Sequence, residues 1–412
     1  MRSPRTARLG DVDPAGSRHL GRRSAVLVGD ERVVAGTADG TVVAFDHGLT
    51  EQWRADGEGC VVSLAATAEC LVAGERGVSG AVRAYDAATG AERWRYEAAE
   101  DVGTADRETR FLLPFVADIE TDGDRIYAAV RRYERSGEQQ ESAASAGGGR
   151  RFESVVAAFD TDGTIRWRYR ADASPISLAA DADRVAVAYN RCPGDHQHGL
   201  VVLDAESGTP TTTWDPGTDG GRRVGDVALH GDGVVVASHG DFCGYRLDET
   251  GVEQWRLPLA TPELVAGERV YAYPNHVHAD ACGAVFVTGN TYPEEGRETD
   301  ARHPQENTAV GVTPGGEVRW RTGVGGFASG VGTDGDSVAV PGAQHFRSRT
   351  PESHGLTVLG IEGGQRRTVG SDGVVTAASL ADGVVASIEE PVTYHDEERV
   401  RGTYRLRIVT EN

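Results

Sequence analysis

Six short motifs of one form recur along this chain, and each of them ends at a tryptophan. The clearest copy starts at Ala84, has an acid at Asp86 and a turn at Gly90, and closes at Trp94. Alternating apolar and polar residues before Asp86, followed by a glycine that tolerates positive φ, predict a β-hairpin. The weaker copies end at Trp53, Trp167, Trp214, Trp255 and Trp320. Because repetition of this kind means an array of similar units, function must be sought where the units differ.

A second hairpin precedes each motif and is built mostly on an Asp/Gly turn. Eight such upstream turns lie at positions 29–30, 68–69, 122–124, 181–183, 231–233, 282–283, 334–336 and 382–383. Two hairpins per repeat make a four-stranded antiparallel blade. The downstream turns lie at Gly48, Gly90, Gly163, Gly208, Gly251, Gly315 and Gly363, so the last unit lacks one strand.

The unassigned residues 4–10 can supply the missing strand, because pairing the two termini removes exposed sheet edges. We therefore predict an all-β fold, an eight-bladed β-propeller formed by residues 1–412 as a single domain. Its ring would be closed by the N-terminal strand in the last blade. Seven blades is the alternative if the degenerate last unit is not a blade.

Residues 84–94 resemble the pyrroloquinoline-quinone-like (PQQ-like) repeat family, whose hallmark is Ala-x-Asp-x-x-Thr-Gly-x-x-x-Trp. Elsewhere the match weakens: Thr313 replaces the acid in one copy, and Arg367 and Thr368 stand where another tryptophan would fall. The resemblance implies that all six tryptophans dock between neighbouring blades. The outer-membrane assembly propellers of Gram-negative bacteria are similar, but their role presumes a lipoprotein signal that this sequence does not indicate. For this chain the resemblance therefore implies a scaffold role and not a role in outer-membrane assembly.

Composition limits the possible partners. The chain has 42 basic residues, all of them arginine, against 63 acids, which gives a formal charge of −21. Such a surface is typical of a protein that works near molar salt, where charges are screened over about 3 Å; an ordinary acidic protein from a GC-rich genome is the alternative. The negative field argues against nucleic-acid binding. No segment approaches the roughly 18 apolar residues of a membrane span, so we expect a cytoplasmic protein without membrane insertion.

Most insertions in the repeat fall on one predicted face of the propeller. They are residues 97–113, 131–153, 189–198, 289–307, 341–354 and 389–401. Variable loops on a rigid scaffold commonly carry binding groups, although a chance clustering of tolerated insertions is the alternative. Interaction-face candidates within these loops are His196, His198, Tyr292, His303, His345, Arg347, Tyr394 and His395. The pair at 196 and 198 has the alternation of a metal site in an extended segment, but no second pair at a diagnostic spacing exists, so solvated loop histidines are the favoured interpretation.

The central funnel supplies a second set of candidates. Aligning the innermost strands on their turns places Asp118, Asp226 and His276 at the first polar position of their strands, where most blades have a small or neutral residue. Two carboxylates and an imidazole could bind a cation or exchange protons. A hydrated channel in an acidic protein is the alternative.

These observations favour a non-catalytic scaffold that binds a protein partner through its loop-rich face, with no cofactor and no metal. The alternative is a small-molecule or metal sensor at the funnel. A quinone-dependent oxidoreductase is a third possibility, implied by the repeat family alone. Its members with that activity use a pair of adjacent cysteines and a bound calcium, and this chain has no adjacent cysteines.

Overall fold

The computed structural model describes residues 4–16, 21–109, 111–135, 150–218, 221–296, 299–343, 350–394 and 399–410. Within these ranges the protein is built almost entirely of β-strands. The helical segments are α1 (Ala99–Val102) and one 3₁₀ turn (Pro351–Ser353). The predicted all-β class is therefore confirmed.

The strands follow one another at short intervals. In the first half of the chain they are β1 (Arg5–Arg8), β2 (Ala25–Val28), β3 (Arg32–Gly36), β4 (Val42–Asp46), β5 (Glu51–Ala55), β6 (Cys60–Ala66), β7 (Cys70–Arg76), β8 (Ala81–Asp86), β9 (Glu92–Glu97), β10 (Phe115–Asp122), β11 (Arg125–Arg135), β12 (Arg150–Asp160), β13 (Ile165–Ala171), β14 (Ser174–Ala180), β15 (Arg184–Arg191), β16 (Leu200–Asp204) and β17 (Pro210–Trp214).

The second half continues in the same way. Its strands are β18 (Val224–His230), β19 (Gly233–Ser238), β20 (Cys243–Leu247), β21 (Glu253–Pro258), β22 (Glu263–Val265), β23 (Glu268–Asp280), β24 (Gly283–Pro293), β25 (Thr308–Val312), β26 (Val318–Gly323), β27 (Gly332–Asp334), β28 (Ser337–Gly342), β29 (Gly355–Gly360), β30 (Gly364–Gly370), β31 (Val374–Ala381), β32 (Val384–Glu390) and β33 (Arg405–Thr410).

The described strands form five antiparallel sheets of four strands, one of five and one of eight, in which β6–β9 and β10–β13 are joined where Phe115 lies opposite Arg76. As in a β-propeller, they divide into four-stranded units, numbered here along the chain: unit one is β2–β5, unit two β6–β9, unit three β10–β13, unit four β14–β17, unit five β18–β21, unit six β23–β26 and unit seven β27–β30, and the last unit is β31–β33 with β1. Successive strands of a unit are neighbours in the sheet, from the inner strand to the outer one. Unit six also carries β22, which pairs with an extension of β23. In the last unit β1 lies against β33, with Arg5 opposite Ile408 and Arg8 opposite Arg405. The N-terminal and C-terminal strands thus share one sheet.

The core lies in layers between neighbouring units. Inner and middle strands are buried on both faces, so β3 and β4 consist mainly of consecutive small and apolar residues. Outer strands alternate instead: in β13, Arg166 and Arg168 are exposed and Trp167 between them is buried. One layer joins Val34 and Val42 of unit one to Leu71 of unit two. Each unit therefore covers an apolar face of the next.

Five of the six tryptophans dock onto the following unit. Trp167 is typical: its indole Nε1 donates a hydrogen bond of 3.0 Å to the carbonyl of Ala205, and its ring packs under Gly208. Equivalent bonds run from Trp53 to Ala87, Trp94 to Thr161, Trp255 to Pro314 and Trp320 to Ile361. The tryptophan satisfies its one polar atom while its ring fills the space between two sheets.

Trp214 occupies a different position from the other five tryptophans. Thr212 takes the docking position, and its Oγ1 donates a 2.7 Å hydrogen bond to the carbonyl of Glu249. Trp214 lies two residues farther along β17, so it points to the same side of the strand. It packs edge-on against Tyr245 of the next unit, at 4.8 Å between ring centroids. Its role is still packing, in a different position.

Several turn residues also differ from the prediction by one place. Positive φ falls at Leu49 rather than Gly48, at Gly316 rather than Gly315, and at Gly364 rather than Gly363. The hairpins are unchanged, because either arrangement closes the same pair of strands.

The docking contact predicts a specific glycine requirement. A Cβ at Gly208 would lie 2.5 Å from Trp167 Cδ2, whereas one at Gly217 would meet nothing within 4 Å. The two glycines have φ of 68° and 71°, so alanine is strained equally at both. We expect Gly208→Ala to lower the free energy of unfolding by about 1–3 kcal/mol more than Gly217→Ala, measured by urea unfolding. If both variants lose the same free energy of unfolding, the contact between the indole and Gly208 does not determine the turn.

Candidate functional site

The loop face is defined here as the side of the molecule that carries the crossings between units and the connections between the second and third strands of each unit. Strands extend farthest into two of its predicted loops. The ladder of β11 and β12 continues to Arg135 opposite Arg150, and residues 289–293 belong to β24. The N-terminal part of β23 pairs there with both β22 and β24. Strand extensions therefore raise rigid surfaces above this face.

An aromatic patch forms where β23 and β24 extend beyond their unit. It consists of Phe242, Tyr271, Tyr273 and Tyr292. Phe242 lies 4.6 Å from Tyr271 and 5.5 Å from Tyr273 between ring centroids, and Tyr292 lies 6.0 Å from Tyr271 and 5.4 Å from Tyr273. Tyr292 is 39% exposed and the other three are partly exposed. Rigid aromatic groups that remain open to solvent are typical of binding surfaces.

An uncommon backbone conformation and a cation–π contact distinguish this patch. Phe242 has a positive φ of 63°, an uncommon conformation for a residue with a bulky side chain. The guanidinium of Arg222 lies 4.6 Å from the ring centroid of Tyr273, as in a cation–π contact. Burial is the main cause of the raised pKa of Tyr292, so its hydroxyl stays protonated. The patch thus presents neutral phenols with one cation beside them.

Of the patch, the sequence analysis identified Tyr292 alone. Residues 271 and 273 lie in none of the predicted loops. Their alternation with Ala272, after a turn at Ala266–Gly267, is the signal that would have indicated an extra hairpin.

The predicted histidine pair occupies a loop rather than an extended strand. His196 packs on Tyr189, at 4.4 Å between ring centroids, and its Nε2 lies 2.8 Å from the carbonyl oxygen of His198. The two imidazoles meet edge to face at 5.8 Å. His198 is exposed, and burial lowers the pKa of His196. The imidazoles therefore do not point the same way, as a shared metal ion would require.

Two other interaction-face candidates are buried, which corrects their predicted exposure. His303 is 4% exposed and bonds through Nε2 to the carbonyl of Thr261, and Tyr394 is 1% exposed with its hydroxyl against His354. Both side chains support the loops from within. His345, Arg347 and His395 lie outside the described residues.

The structure brings two of the three funnel candidates together. His276 Nδ1 lies 3.6 Å from Asp226 Oδ2, and His276 Nε2 donates to the carbonyl of Ala328. Asp118 lines a cavity of about 220 Å³ in the channel. Arg22 and Glu120 line the same cavity.

Both carboxylates have a structural task. Asp118 Oδ2 accepts the backbone N–H of Leu178, and Asp226 Oδ2 accepts that of Val277, each at 2.9 Å. In both cases a side chain on one inner strand holds the backbone of the next. Ser63 and Ser379 make the same kind of bond, to Ile119 and Val28. The polar residues of the channel therefore join neighbouring units.

Glu120, which the sequence analysis did not select, differs from this pattern. It lies two residues after Asp118 on β10, so it faces the same side, and it lines the same cavity. No hydrogen bond joins its carboxyl to another described residue. Burial, followed by the charges of Asp118 and Asp226, raises its pKa well above the ordinary value. Burial in the deeper channel therefore disfavours the ionised form of Glu120.

Comparisons with known proteins agree with this architecture. A family model described as the outer membrane protein assembly factor BamB matches residues 18–134. The crystal structure of BamB from Moraxella catarrhalis superposes with a TM-score of 0.54 at 16% identity, covering 99% of this chain and 98% of that one. The chain carries PQQ-like repeats. The predicted resemblance to PQQ-like propellers is thereby confirmed. A comparison with curated protein sequences finds no match.

Enzymes with this propeller are similar as well. A europium-containing methanol dehydrogenase aligns with a TM-score of 0.60 at 12% identity, over 95% of this chain and 85% of that one. A quinohemoprotein alcohol dehydrogenase from Comamonas testosteroni aligns with a TM-score of 0.56 at 11% identity, over 99% of this chain and 76% of that one. At these identities the likeness shows the fold alone.

The channel does not fit the calcium that accompanies the quinone in such PQQ-like propellers. A calcium site needs several free oxygen ligands, and both oxygens of Asp118 and of Asp226 already accept hydrogen bonds from neighbouring groups. Among the described residues no cluster of three His, Cys, Asp or Glu side chains is arranged to hold a metal ion. Nor does any helix in the described ranges combine the length and apolar character needed to cross a bilayer.

The channel predicts a defined pH dependence. Burial and the charge of Asp226 raise the pKa of Asp118 from 3.8 to about 6, against the opposing effect of Arg22. Between these values the folded protein binds more protons than the unfolded chain, so the stability contributed by this group is lost as pH rises through about 6. We expect the melting temperature of Asp118→Asn to fall less than that of the wild type as the pH rises from 3.8 to about 6. Asp106→Asn, an exposed control, should leave the slope unchanged. Identical slopes in all three proteins would refute the assignment.

Proposed function

We propose that this protein is a non-catalytic scaffold whose loop face binds a protein partner, with the aromatic patch at the centre of the contact. The observation that carries the proposal is the patch itself, in which three tyrosines on strand extensions pack with Phe242 of the β19–β20 connection and Tyr292 is 39% exposed. Tyrosine and arginine are enriched in the buried centres of protein interfaces.

Rigidity of the surrounding strands supports this assignment. Tyr271 and Tyr292 lie opposite each other in the ladder of β23 and β24, where Val270 pairs with Pro293 as well. Side chains fixed on a paired strand lose little conformational entropy when a partner covers them. The matching family model, described as an assembly factor, is consistent with such a role for a PQQ-like propeller.

The proposal includes an eight-bladed ring as the base of this surface. The pairing of β1 with β33 in the last unit supports closure, as does the bond from Val28 to Ser379 between the first and last inner strands. A closed ring holds the loops of all units at fixed distances and leaves no inner edge to fray.

The proposal also includes action in the cytoplasm at high salt, as the composition predicts. Near molar ionic strength the screening length is about 3 Å, so surface charges contribute little to association over longer distances. Apolar and aromatic contacts do not weaken in this way, and sulfate-like salts strengthen them. An aromatic patch is therefore a suitable recognition element for a protein with a formal charge of −21.

Replacing both outer tyrosines tests the proposal. The Tyr271→Ala, Tyr292→Ala variant removes the exposed part of the patch, and its loss of affinity should reach about 2 kcal/mol or more, as for interface hot spots. The tagged protein would be purified from extract of its native cells at high potassium chloride, and bound proteins identified by mass spectrometry. The partner should accompany the wild type and be lost from the variant.

Val252→Ala is the matched control, because Val252 is 58% exposed in the turn between β20 and β21, on the opposite face. It should retain the partner. Equal recovery with all three proteins, or no stable partner for the folded wild type, would contradict the proposal.

A second candidate is a cation sensor at the funnel, and Glu120 is the observation in its favour, because its carboxyl lines the cavity without a hydrogen-bonding partner among the described residues. Spermidine, as the cationic probe, would raise the melting temperature of the wild type by linkage if the site binds cations. The shift should disappear in Glu120→Gln and persist in Asp106→Asn. Unchanged melting curves for the wild type would reject this candidate.

A further inference from the structure

The aromatic patch continues along one side of the sheet that β22 forms with the extensions of β23 and β24. Strand register shows this, because Leu264 on β22 lies opposite Arg269, and Tyr271 lies opposite Tyr292. Residues opposite each other in a ladder share one side of the sheet, and so do residues two apart along a strand. Five side chains therefore form one surface, called the tyrosine face below: Leu264, Arg269, Tyr271, Tyr273 and Tyr292.

The tyrosine face is open to solvent although most of its side chains are apolar or aromatic. Leu264 is 73% exposed and Tyr292 is 39% exposed. Val270, which points to the other side of β23, is buried, so that side of the sheet belongs to the core. The ion pair of Arg269 and Glu294, 2.9 Å from Nε to Oε2, borders the face. An apolar centre beside a charged rim is the usual arrangement of a protein interface.

A partner cannot extend this sheet by adding a strand to β23. At Val270 that strand is paired on both sides, with Glu263 of β22 and with Pro293 of β24. Farther along, the backbone N–H of Ala272 donates a 3.3 Å hydrogen bond to the carbonyl of Ala260. The edge strand β22 has three residues, and edges this short are poor templates for another strand. A partner must therefore contact the side chains of the tyrosine face.

The polar atoms of the tyrosine face can donate hydrogen bonds. Burial is the main cause of the raised pKa of Tyr271 and of Tyr292, so both phenols stay protonated. In the part of the chain that the structure describes, Tyr292 forms no hydrogen bond to another residue. Among the described groups, Arg222 and Tyr273 act electrostatically on Tyr292, and no carboxylate does. The face thus offers O–H and N–H donors between aromatic rings.

We propose that the tyrosine face binds a proline-rich segment of the protein partner in the polyproline II (PPII) conformation. This inference rests on the function proposed above and names the chemistry of the partner. A proline-rich chain has backbone carbonyls but few N–H groups, so it accepts hydrogen bonds from the phenols and needs no open sheet edge. Its rings pack on aromatic side chains, and because PPII is preformed, little conformational entropy is lost on binding.

The spacing of the rings agrees with such a ligand. Centroids of Tyr271, Tyr273 and Tyr292 lie 5.3 to 6.0 Å apart. Two residues of a PPII segment advance by about 6 Å. A proline-rich segment is also uncharged, so its binding persists at ionic strengths that screen charge pairs.

Binding would be measured by calorimetry with the full chain in high potassium chloride. Decaproline with blocked ends is the PPII probe, a Gly-Ser peptide of equal length is the flexible control, and an Asp-Gly peptide of equal length is the acidic control. We expect saturable binding of decaproline, at least about tenfold tighter than that of either control. A preference for the acidic peptide, equal binding of all three peptides, or no binding of decaproline would overturn the proposal.

Exposed positions provide variants that should fold. Tyr292→Ala removes a ring and should weaken decaproline binding by about tenfold or more. Tyr292→Phe keeps the ring and removes the donor, so the loss should be about three- to tenfold, the effect of one neutral hydrogen bond. Val252→Ala, on the opposite face, should change affinity by less than about twofold. Wild-type affinity in both Tyr292 variants would contradict the proposal, and so would an equal loss in Val252→Ala.

Affinity purification from native extract separates this inference from the function on which it rests. Displacement of the bound partner from the wild type by decaproline would support both. A partner that is lost from the Tyr271→Ala, Tyr292→Ala variant, together with no binding of decaproline, would overturn the proline-rich segment and leave the scaffold function in place. Saturable binding of decaproline without any stable partner would contradict the scaffold function and retain the peptide site.

Discussion

The hydrogen bond from a tryptophan indole to a carbonyl of the next unit is the contact on which the rest of this structure depends. It recurs at similar length from Trp53 to Ala87 and from Trp320 to Ile361, so it sets one spacing between sheets along most of the chain. A buried indole needs a partner for its N–H, and a carbonyl in a tight turn supplies it only at a fixed offset. With that offset repeated, the loop faces of all units lie on one side.

Much of the fold could be predicted because the tryptophan that makes this contact recurs in the sequence at regular intervals. The motif does not identify the docking residue where another side chain can make the same hydrogen bond. At Trp214 the sequence has a tryptophan in nearly the expected place, but Thr212 docks instead, since residues two apart in a strand face the same side. A motif search cannot separate these two positions, whereas the partner carbonyl at Glu249 does.

The candidate site was less predictable, because it depends on contacts between units. Sequence alignment placed Asp118 and Asp226 toward the channel, but it could not show that each accepts the backbone N–H of a neighbouring strand. The aromatic patch combines Phe242 of unit five with tyrosines of unit six, and no spacing along the chain relates them. His303 and Tyr394 show the converse: their loops were identified, but not that the side chains turn inward.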